Sequence, residues 1–356
     1  MWNRTVGRMA AGIAVSGAIL AGTMAAPAAL AAQSIHLLET GSTLLYPLYL
    51  KWIPAYEATH KGVTITPGAT GSGTGIADAT AGTVQLGASD AYLSSAQKTP
   101  GMENIPLAIS AQVVAYNLPG LNGRHLNING AILAGIYTGK ITMWNAPQIR
   151  QVNPGVKLPA KAIIPVRRSD ASGDSFLFTS YMTDSASKIW TAGYSTSPNW
   201  PAVTKEVSMD GNGGMVQALK ADPYSIAYVG ISYLNQMVGD KLGYAQLANR
   251  SGHYVMPTQT NIVAAAQAMV PHTPKDETIS LIYAPGKTAY PIINYEYAIV
   301  QTHQSSPTMA KAVKTFLAWA ISAQGGNQNK FLNAVHFLPL PASVRHLSQN
   351  QINAIH

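Results

Sequence analysis

Residues 34–56 read Ser34-Ile35-His36-Leu37-Leu38-Glu39-Thr40-Gly41-Ser42-Thr43-Leu44-Leu45-Tyr46-Pro47-Leu48-Tyr49-Leu50-Lys51-Trp52-Ile53-Pro54-Ala55-Tyr56. A short extended run, Ser34–Leu38, is followed by the turn Thr40-Gly41-Ser42-Thr43. Then Leu45, Leu48, Tyr49, Trp52, Ile53 and Tyr56 recur at the helical period and form one apolar stripe. Pro47 is tolerated in the first turn of such a helix, while Pro54 is expected to bend its far end. The same order of extended run, Gly/Ser/Thr turn and helix recurs twice. It appears as Val63–Thr66, Gly68–Gly75 and Ile76–Ala81, and again as Ala162–Val166, Arg168–Asp174 and Ser175–Met182. Ser306-Pro307 reads as a helix cap with proline at the first helical position. That helix turns Val313, Phe316, Leu317 and Ala320 inward and is expected to end at Gly325-Gly326. Further strand-like runs lie at Gln112–Tyr116, Ser225–Val229 and Ile292–Val300. Alternating strands and helices predict an α/β fold with mostly parallel sheets flanked by helices.

Composition narrows the function classes. At roughly 150 residues per domain, 356 residues correspond to two or three domains. Hydrophobic residues make up 47%, enough for a full core, while charged residues are 11%, against about 25% in an ordinary soluble domain. That balance excludes a disordered chain. The formal charge is +8, yet no basic run or basic helix face exists; the excess comes from having 15 acids against 23 bases. No nucleic-acid partner is expected. Scarce carboxylates suit an acidic milieu, where protonating them would add self-repulsion. The absence of cysteine excludes disulfides, thiolate metal sites and lipidation at an N-terminal cysteine. Arg4 and Arg8, an apolar stretch from about Ala10 to Ala26, and Ala29-Leu30-Ala31 form a secretory signal over residues 1–32. The expected product is exported, soluble, without a lipid anchor, and located in the periplasm or outside the cell.

Catalytic and metal motifs are poorly represented. Nine histidines show no metal-binding spacing. Gly71-Ser72-Gly73-Thr74-Gly75, with Asp90 some twenty residues on, approaches a dinucleotide loop, but Ile76 occupies the third glycine position. Ser95-Ala96-Gln97-Lys98 lacks the companion motifs of a penicillin-interacting enzyme, and no Gly-x-Ser-x-Gly elbow occurs. Neither catalytic residues nor a cofactor nor a metal is expected. What remains is three turns, at Ser42-Thr43, Ser72-Gly73-Thr74 and Ser172-Gly173, each setting hydroxyls and glycines at a helix N-terminus. Unpaired N–H groups and the helix dipole make such an end an anion site. Arg168 opens the third turn with a fork matched to an oxyanion. Asp90 would repel an anion unless the ligand has a proton to donate. Hydrogen phosphate has one and sulfate does not; an unprotonated ligand would set two acceptors face to face, at a cost of several kcal/mol in order of magnitude.

Gly41-Ser42-Thr43-Leu44, Lys51-Trp52, Gly71-Ser72-Gly73, Gly87-Ala88-Ser89-Asp90 and Arg168-Ser169-Asp170-Ala171-Ser172-Gly173 stand in an order that resembles the phosphate-binding proteins of ATP-binding-cassette importers. Gly211-Asn212-Gly213-Gly214-Met215, Ala227-Tyr228-Val229-Gly230 and Tyr290-Pro291-Ile292-Ile293-Asn294-Tyr295-Glu296-Tyr297 extend the resemblance, which spans about Ser34 to Leu340. It implies a two-lobed periplasmic-binding-protein clamp of type II with two hinge crossovers, expected near Ile105–Gln112 and Pro291–Tyr297. Lobe 1 would comprise residues 33–108 and 294–356, and lobe 2 residues 109–293. It also implies phosphate contacts from the Thr43 hydroxyl, the Leu44 N–H, Ser72, Asp90, Arg168, Ser172 and Gly173. Asp174 stands where the family usually has a threonine. Its N–H is expected on phosphate and its carboxylate at the site's edge, holding Arg167 or Arg168 in place with little penalty at pH 8. The implied function is binding inorganic phosphate, as a monomer, and delivering it to the transmembrane permease subunits of the importer. Alternatives are another oxyanion (arsenate, sulfate or molybdate) or a secreted phosphatase on the same clamp.

Overall fold

The computed structural model describes Ser34–His356; the expected leader at residues 1–32 lies outside the described residues. The chain opens with strand β1 (Ile35–Gly41), helix α1 (Tyr46–Thr59), β2 (Val63–Thr66), α2 (Ser72–Ala81) and β3 (Leu86–Ser89). A 15-residue strand, β4 (Met102–Tyr116), carries it into a second region. There follow β5 (Asn127–Ile128), α3 (Gly130–Tyr137), α4 (Pro147–Val152), β6 (Ile164–Arg168) and α5 (Gly173–Ala186). Next come β7 (Val207–Met209), α6 (Gly211–Ala221), β8 (Ser225–Gly230), α7 (Leu234–Gly239), β9 (Gly243–Tyr244), β10 (Gln246–Ala248), β11 (Tyr254–Val255) and α8 (Gln259–Met269). Strand β12 (Ile293–Gln301) returns to the first region, which α9 (Pro307–Ile321), α10 (Asn329–Leu332) and α11 (Ala342–Ala354) complete.

The main sheet runs β2-β1-β3-β12-β4-β8-β6-β7. Its outer parts are parallel: β1 pairs with β2 and β3, and β6 with β7 and β8. The long β4 and β12 pair antiparallel from Ile293↔Ala111 to Gln301↔Met102. They join the two parts, so the fold is α/β with two lobes and the chain crosses between them twice. The sheet is therefore mixed where a mostly parallel one was expected, because the crossover segments are themselves central strands. Continuous burial of β4 and β12 explains their missing alternation in the sequence. Between Glu296 and Tyr297 the register shifts.

Packing follows the predicted stripes. Leu48, Tyr49, Trp52, Ile53 and Tyr56 of α1 are buried. Tyr49 stacks on Phe316 of α9 with ring centroids 6.0 Å apart, and Tyr56 meets the same ring edge-on at 5.1 Å. Burying a side chain such as Phe316 contributes about 1.5–3 kcal/mol. Trp52 donates its indole N–H to the Gly326 carbonyl at 2.8 Å, satisfying the polar edge of a buried ring. Helix α1 continues through Pro54 to Thr59. Helix α2 begins at Ser72, four residues before the apolar pattern does, because Gly71 at φ +93° supplies a left-handed entry into the helix. Ser306 caps α9 by accepting from the Met309 N–H at 3.1 Å. That helix ends at Ile321, and residues 322–326 continue as turns closed by Gly326 N–H to Trp319 O, 2.8 Å.

Candidate functional site

Four local devices meet where the two lobes touch. The strand-to-helix turn after β1 holds Ser42 and Thr43, the N-terminus of α2 holds Ser72, the end of β3 leads into Asp90, and the end of β6 with the N-terminus of α5 holds Arg168 to Asp174. All eight predicted residues (Thr43, Leu44, Ser72, Asp90, Arg168, Ser172, Gly173 and Asp174) are buried in this region.

On the first lobe, Asp90 is 2% exposed. Its Oδ1 accepts a short hydrogen bond from the Ser42 hydroxyl, and its Oδ2 one from Ser72 at 3.3 Å. The Asp90 N–H donates back to Ser72 Oγ at 3.2 Å, and Leu45 N–H donates to Ser42 Oγ at 2.9 Å. Burial, and then the charge of Asp174, push the Asp90 carboxyl up to about 7, against the opposing pull of Ser42, Glu296 and Arg168. Beneath it, on β12, Asn294 Nδ2 donates to the Asp90 carbonyl at 3.4 Å and to Glu296 Oε1 at 3.0 Å. Burial raises Glu296 well above the carboxylate range, with Asp90 adding to the effect.

The second lobe supplies a guanidinium under two carboxylates. Arg168 is 2% exposed. Asp170 takes its Nε–H at 2.6 Å and an Nη2–H by a short bond, and Asp174 Oδ2 takes an Nη1–H at 2.9 Å. Five N–H groups minus these three leave one on each terminal nitrogen for an oxyanion. Burial disfavours the Arg168 cation, but Asp170 and Asp174 more than offset this, so its affinity for the proton rises. Its backbone N–H is fixed by the Tyr228 hydroxyl at 2.9 Å. Burial also raises Asp174, opposed by Arg168, Gln112 and Asn212. Ser172 caps α5 by accepting from Ser175 N–H at 3.3 Å, leaving the first N–H groups of the helix, on Gly173 and Asp174, without intrahelical partners.

Contacts between the lobes complete the arrangement. Thr43 Oγ1 accepts from the backbone N–H of Asn212 at 3.1 Å and from its Nδ2 at 2.9 Å. With both lone pairs occupied, the Thr43 hydroxyl acts toward a ligand as a donor. The other hydrogen of Asn212 Nδ2 goes to Asp174 Oδ2 at 2.6 Å, and its Oδ1 accepts from Gly230 N–H at 2.7 Å. Gly73 N–H reaches the Ala171 carbonyl at 2.8 Å, and the Ser232 hydroxyl reaches the Leu44 carbonyl at 2.8 Å. Gly173 permits this close approach of the lobes, since an added Cβ would lie 2.7 Å from Cβ of Asp90 and closer still to the Asp90 carboxylate and Ser72 hydroxyl.

The carboxylate of Asp174 holds Arg168, as its position in the sequence suggested, while Arg167 turns instead to Glu206 at 2.7 Å. Three residues of the arrangement had no assigned role in the sequence reading. Asp170 grips the guanidinium, Asn212 ties Thr43 to Asp174, and Gln112 Nε2 donates to Asp174 Oδ1 at 3.0 Å and to its carbonyl at 2.9 Å. The Arg168-x-Asp170 spacing was a readable signal for the first. Gln112 sits in a strand buried at every position but Glu103, whose pattern gives no sign of function.

Residues 26–324 match the PBP superfamily domain. The phosphate-binding protein PstS of Methanocaldococcus jannaschii is 33% identical over 347 residues, covering 91% of this chain and 87% of that protein. PstS of Xylella fastidiosa is 32% identical over 320 residues, covering 89% of this chain and 85% of its own. In fold, the chain resembles a phosphate-binding protein from Stenotrophomonas maltophilia (TM-score 0.67, 19% identity, 88% of this chain and 93% of that one). It also resembles a high affinity periplasmic phosphate-binding protein solved with phosphate at pH 8.5 (TM-score 0.70, 19% identity, 89% and 93%). The sequence relatives are more than 30% identical over most of the length of the chain, which therefore belongs to the PstS phosphate-binding protein family of the PBP superfamily.

Proposed function

We propose that this protein binds inorganic phosphate in the cleft between its lobes and delivers it to the permease subunits of an ATP-binding-cassette importer. The observation that carries the reading is the meeting of Arg168, with two free N–H groups, and Asp90, a buried proton acceptor, at the N-termini of α2 and α5. Thr43 donates its hydroxyl, Leu44, Gly173 and Asp174 donate backbone N–H groups, Ser72 contributes its hydroxyl, and Ser172 holds the α5 terminus in place. The lobes on this reading comprise residues 33–108 with 294–356, and 109–293. The protein acts outside the cytoplasmic membrane after loss of residues 1–32, as a monomer that carries its ligand without transforming it. Among the described residues no helix is long and apolar enough to cross a membrane.

Calorimetric titration with phosphate, arsenate and sulfate tests this, with phosphate expected to bind far more tightly than sulfate. Asp90→Asn replaces the acceptor with an N–H donor. It is expected to narrow the phosphate-over-sulfate ratio by at least roughly tenfold, about 1.4 kcal/mol. An unchanged ratio would show that Asp90 does not read the ligand's proton.

A further inference from the structure

Two carboxylates, of Asp170 and Asp174, pair with the single guanidinium of Arg168, and that of Asp90 lies close enough to feel its charge. Among the described residues, Arg168 is the one cation in ion-pair contact with any of them. Asp170 already occupies the Nε/Nη2 edge of the fork, so the pairing of Asp174 with Nη1 adds a charge that Arg168 no longer balances. The groups facing these carboxylates come from every surrounding element. Asp90 meets Ser42 ahead of α1, Ser72 of α2, Gly173 of α5 and Asn294 and Glu296 of β12. Asp174 meets Gln112 of β4, Arg168 of β6 and Asn212 of α6, with Asp170 beyond the arginine. The phenols of Tyr228 and Tyr233 lie near it, both pushed further from ionisation by burial. Arg167, the next cation along the chain, is engaged by Glu206.

Hydrogen-bond polarity then locates the missing proton. Each partner of the Asp174 carboxylate is a donor: Arg168 Nη1–H and Asn212 Nδ2–H on Oδ2, and Gln112 Nε2–H on Oδ1. A proton on that carboxyl would face only other donors. Asp174 is thus held ionised by its neighbours although burial opposes the charge. The closed cleft carries two carboxylates in excess of its one cation before any ligand enters. A doubly charged anion would be repelled by that excess at close range in a desolvated site.

We propose that this chain binds phosphate as the singly charged dihydrogen ion, taking roughly one proton from solvent with each phosphate at pH 8, and that Asp174 is the specificity-determining residue that sets this preference. The inference rests on the phosphate-binding reading and adds to it the protonation state of the ligand. One hydroxyl of the ion donates to Asp90. The other removes the charge that Asp174 would otherwise oppose. The scarcity of acids in the chain as a whole, 15 in 356 residues, makes their concentration at this one place more pronounced.

Titration calorimetry of the purified protein with inorganic phosphate, in two buffers of different ionisation enthalpy at pH 8, counts the protons taken up. The expected result is close to one proton per phosphate, with affinity changing less than roughly tenfold from pH 8 to pH 6, because protonation of Asp90 near 7 offsets the larger share of dihydrogen ion. Asp174→Asn keeps the shape of the side chain and removes its charge. It is expected to bring the uptake near zero. Tight phosphate binding at pH 8 without proton uptake would overturn the inference and leave phosphate binding standing. An uptake that persists undiminished in Asp174→Asn would remove Asp174 as its cause. Should that variant fail to fold, the proton count of the unaltered protein decides alone. Failure to bind phosphate at both pH values would overturn the functional reading and this inference together.

Discussion

The first lobe brings Ser42, Thr43, Ser72 and Asp90 to the cleft, three neutral hydroxyls and one carboxylate, whereas the second brings Arg168, Asp170 and Asp174, one cation beneath two carboxylates. A hydroxyl donates or accepts according to its neighbours, and here the neighbours have decided. Ser42 is committed to Asp90, and Thr43 has spent both lone pairs on Asn212. On the second lobe polarity is built into the ions and only their balance is adjustable. The first lobe is thereby suited to reading a proton on the ligand, and the second to setting how much negative charge the ligand brings.

The largest expected effect strikes the second lobe. Arg168→Ala leaves Asp170 and Asp174 without their cation, and breaking a buried ion pair from one side costs about 3–5 kcal/mol of folding stability. Phosphate affinity should fall by roughly a thousandfold or more, about 4 kcal/mol. Urea denaturation and calorimetry read the two losses separately. A variant within roughly tenfold of the native affinity (about 1.4 kcal/mol) would break the comparison, because the charge-setting lobe would then be dispensable.

A second substitution tests whether the lobes must meet as closely as they do here. Gly173→Ala places a methyl group against Asp90 and Ser72 of the facing lobe. Overpacking of this kind costs about 1–3 kcal/mol, or roughly fivefold to a hundredfold in affinity. The methyl group interferes across the cleft and leaves α5 itself intact, since alanine favours helix more than glycine does. Thermal unfolding without phosphate should therefore change little while affinity falls. Equal loss in both measurements would mean that Gly173 serves folding rather than closure.

How much of this the sequence disclosed depended on range. Residues whose role is set by local geometry were legible: the α1 stripe from Leu45 to Tyr56, the Ser306 cap, and the turns at Ser42, Ser72 and Ser172 each follow from a few neighbouring positions. The crossovers were found near Ile105–Gln112 and Pro291–Tyr297, but their extent was not, because strands buried on both faces show no alternation. Asn212 and Gln112 were illegible as parts of the site. Asn212 lies 169 positions from Thr43 and Gln112 lies 62 from Asp174, so only tertiary structure brings each pair together. Asp174 shows the limit most clearly. Its contact with Arg168 could be anticipated from their spacing, and with it a mild response to pH. The same guanidinium is already held by Asp170, a contact that the Arg168-x-Asp170 spacing signalled but to which no role was given, and this turns Asp174 from a balancing charge into a surplus one.

The smallest expected effect lies at the rim, where the comparison can be sharpened without touching a charged group. Tyr92, two residues after Asp90, meets Phe176, two residues after Asp174, with ring centroids 5.3 Å apart and planes at 84°. Phe176 in turn meets Tyr194 of its own lobe at 5.3 Å and 87°. Both pairs have the edge-to-face geometry that contributes about 0.5–1.5 kcal/mol beyond area burial. Only the first crosses the cleft, so only the first is gained when the lobes come together. Phe176→Ala should therefore weaken phosphate binding about twofold to tenfold, the equilibrium equivalent of one such pair. Tyr194 is 49% exposed, packs on Phe176 from the same lobe and approaches Tyr92 only through its hydroxyl, so Tyr194→Ala should weaken binding less. Neither change alters the charge of the cleft, and the proton count and the phosphate-over-sulfate ratio should stay at their native values in both. A shift in that ratio with Phe176→Ala would mean that the rim positions Asp90 or Asp174, and the division between a polar site and an aromatic closure would not hold. Equal weakening by the two variants would show that the cluster acts by stiffening α5 and its following loop rather than by joining the lobes.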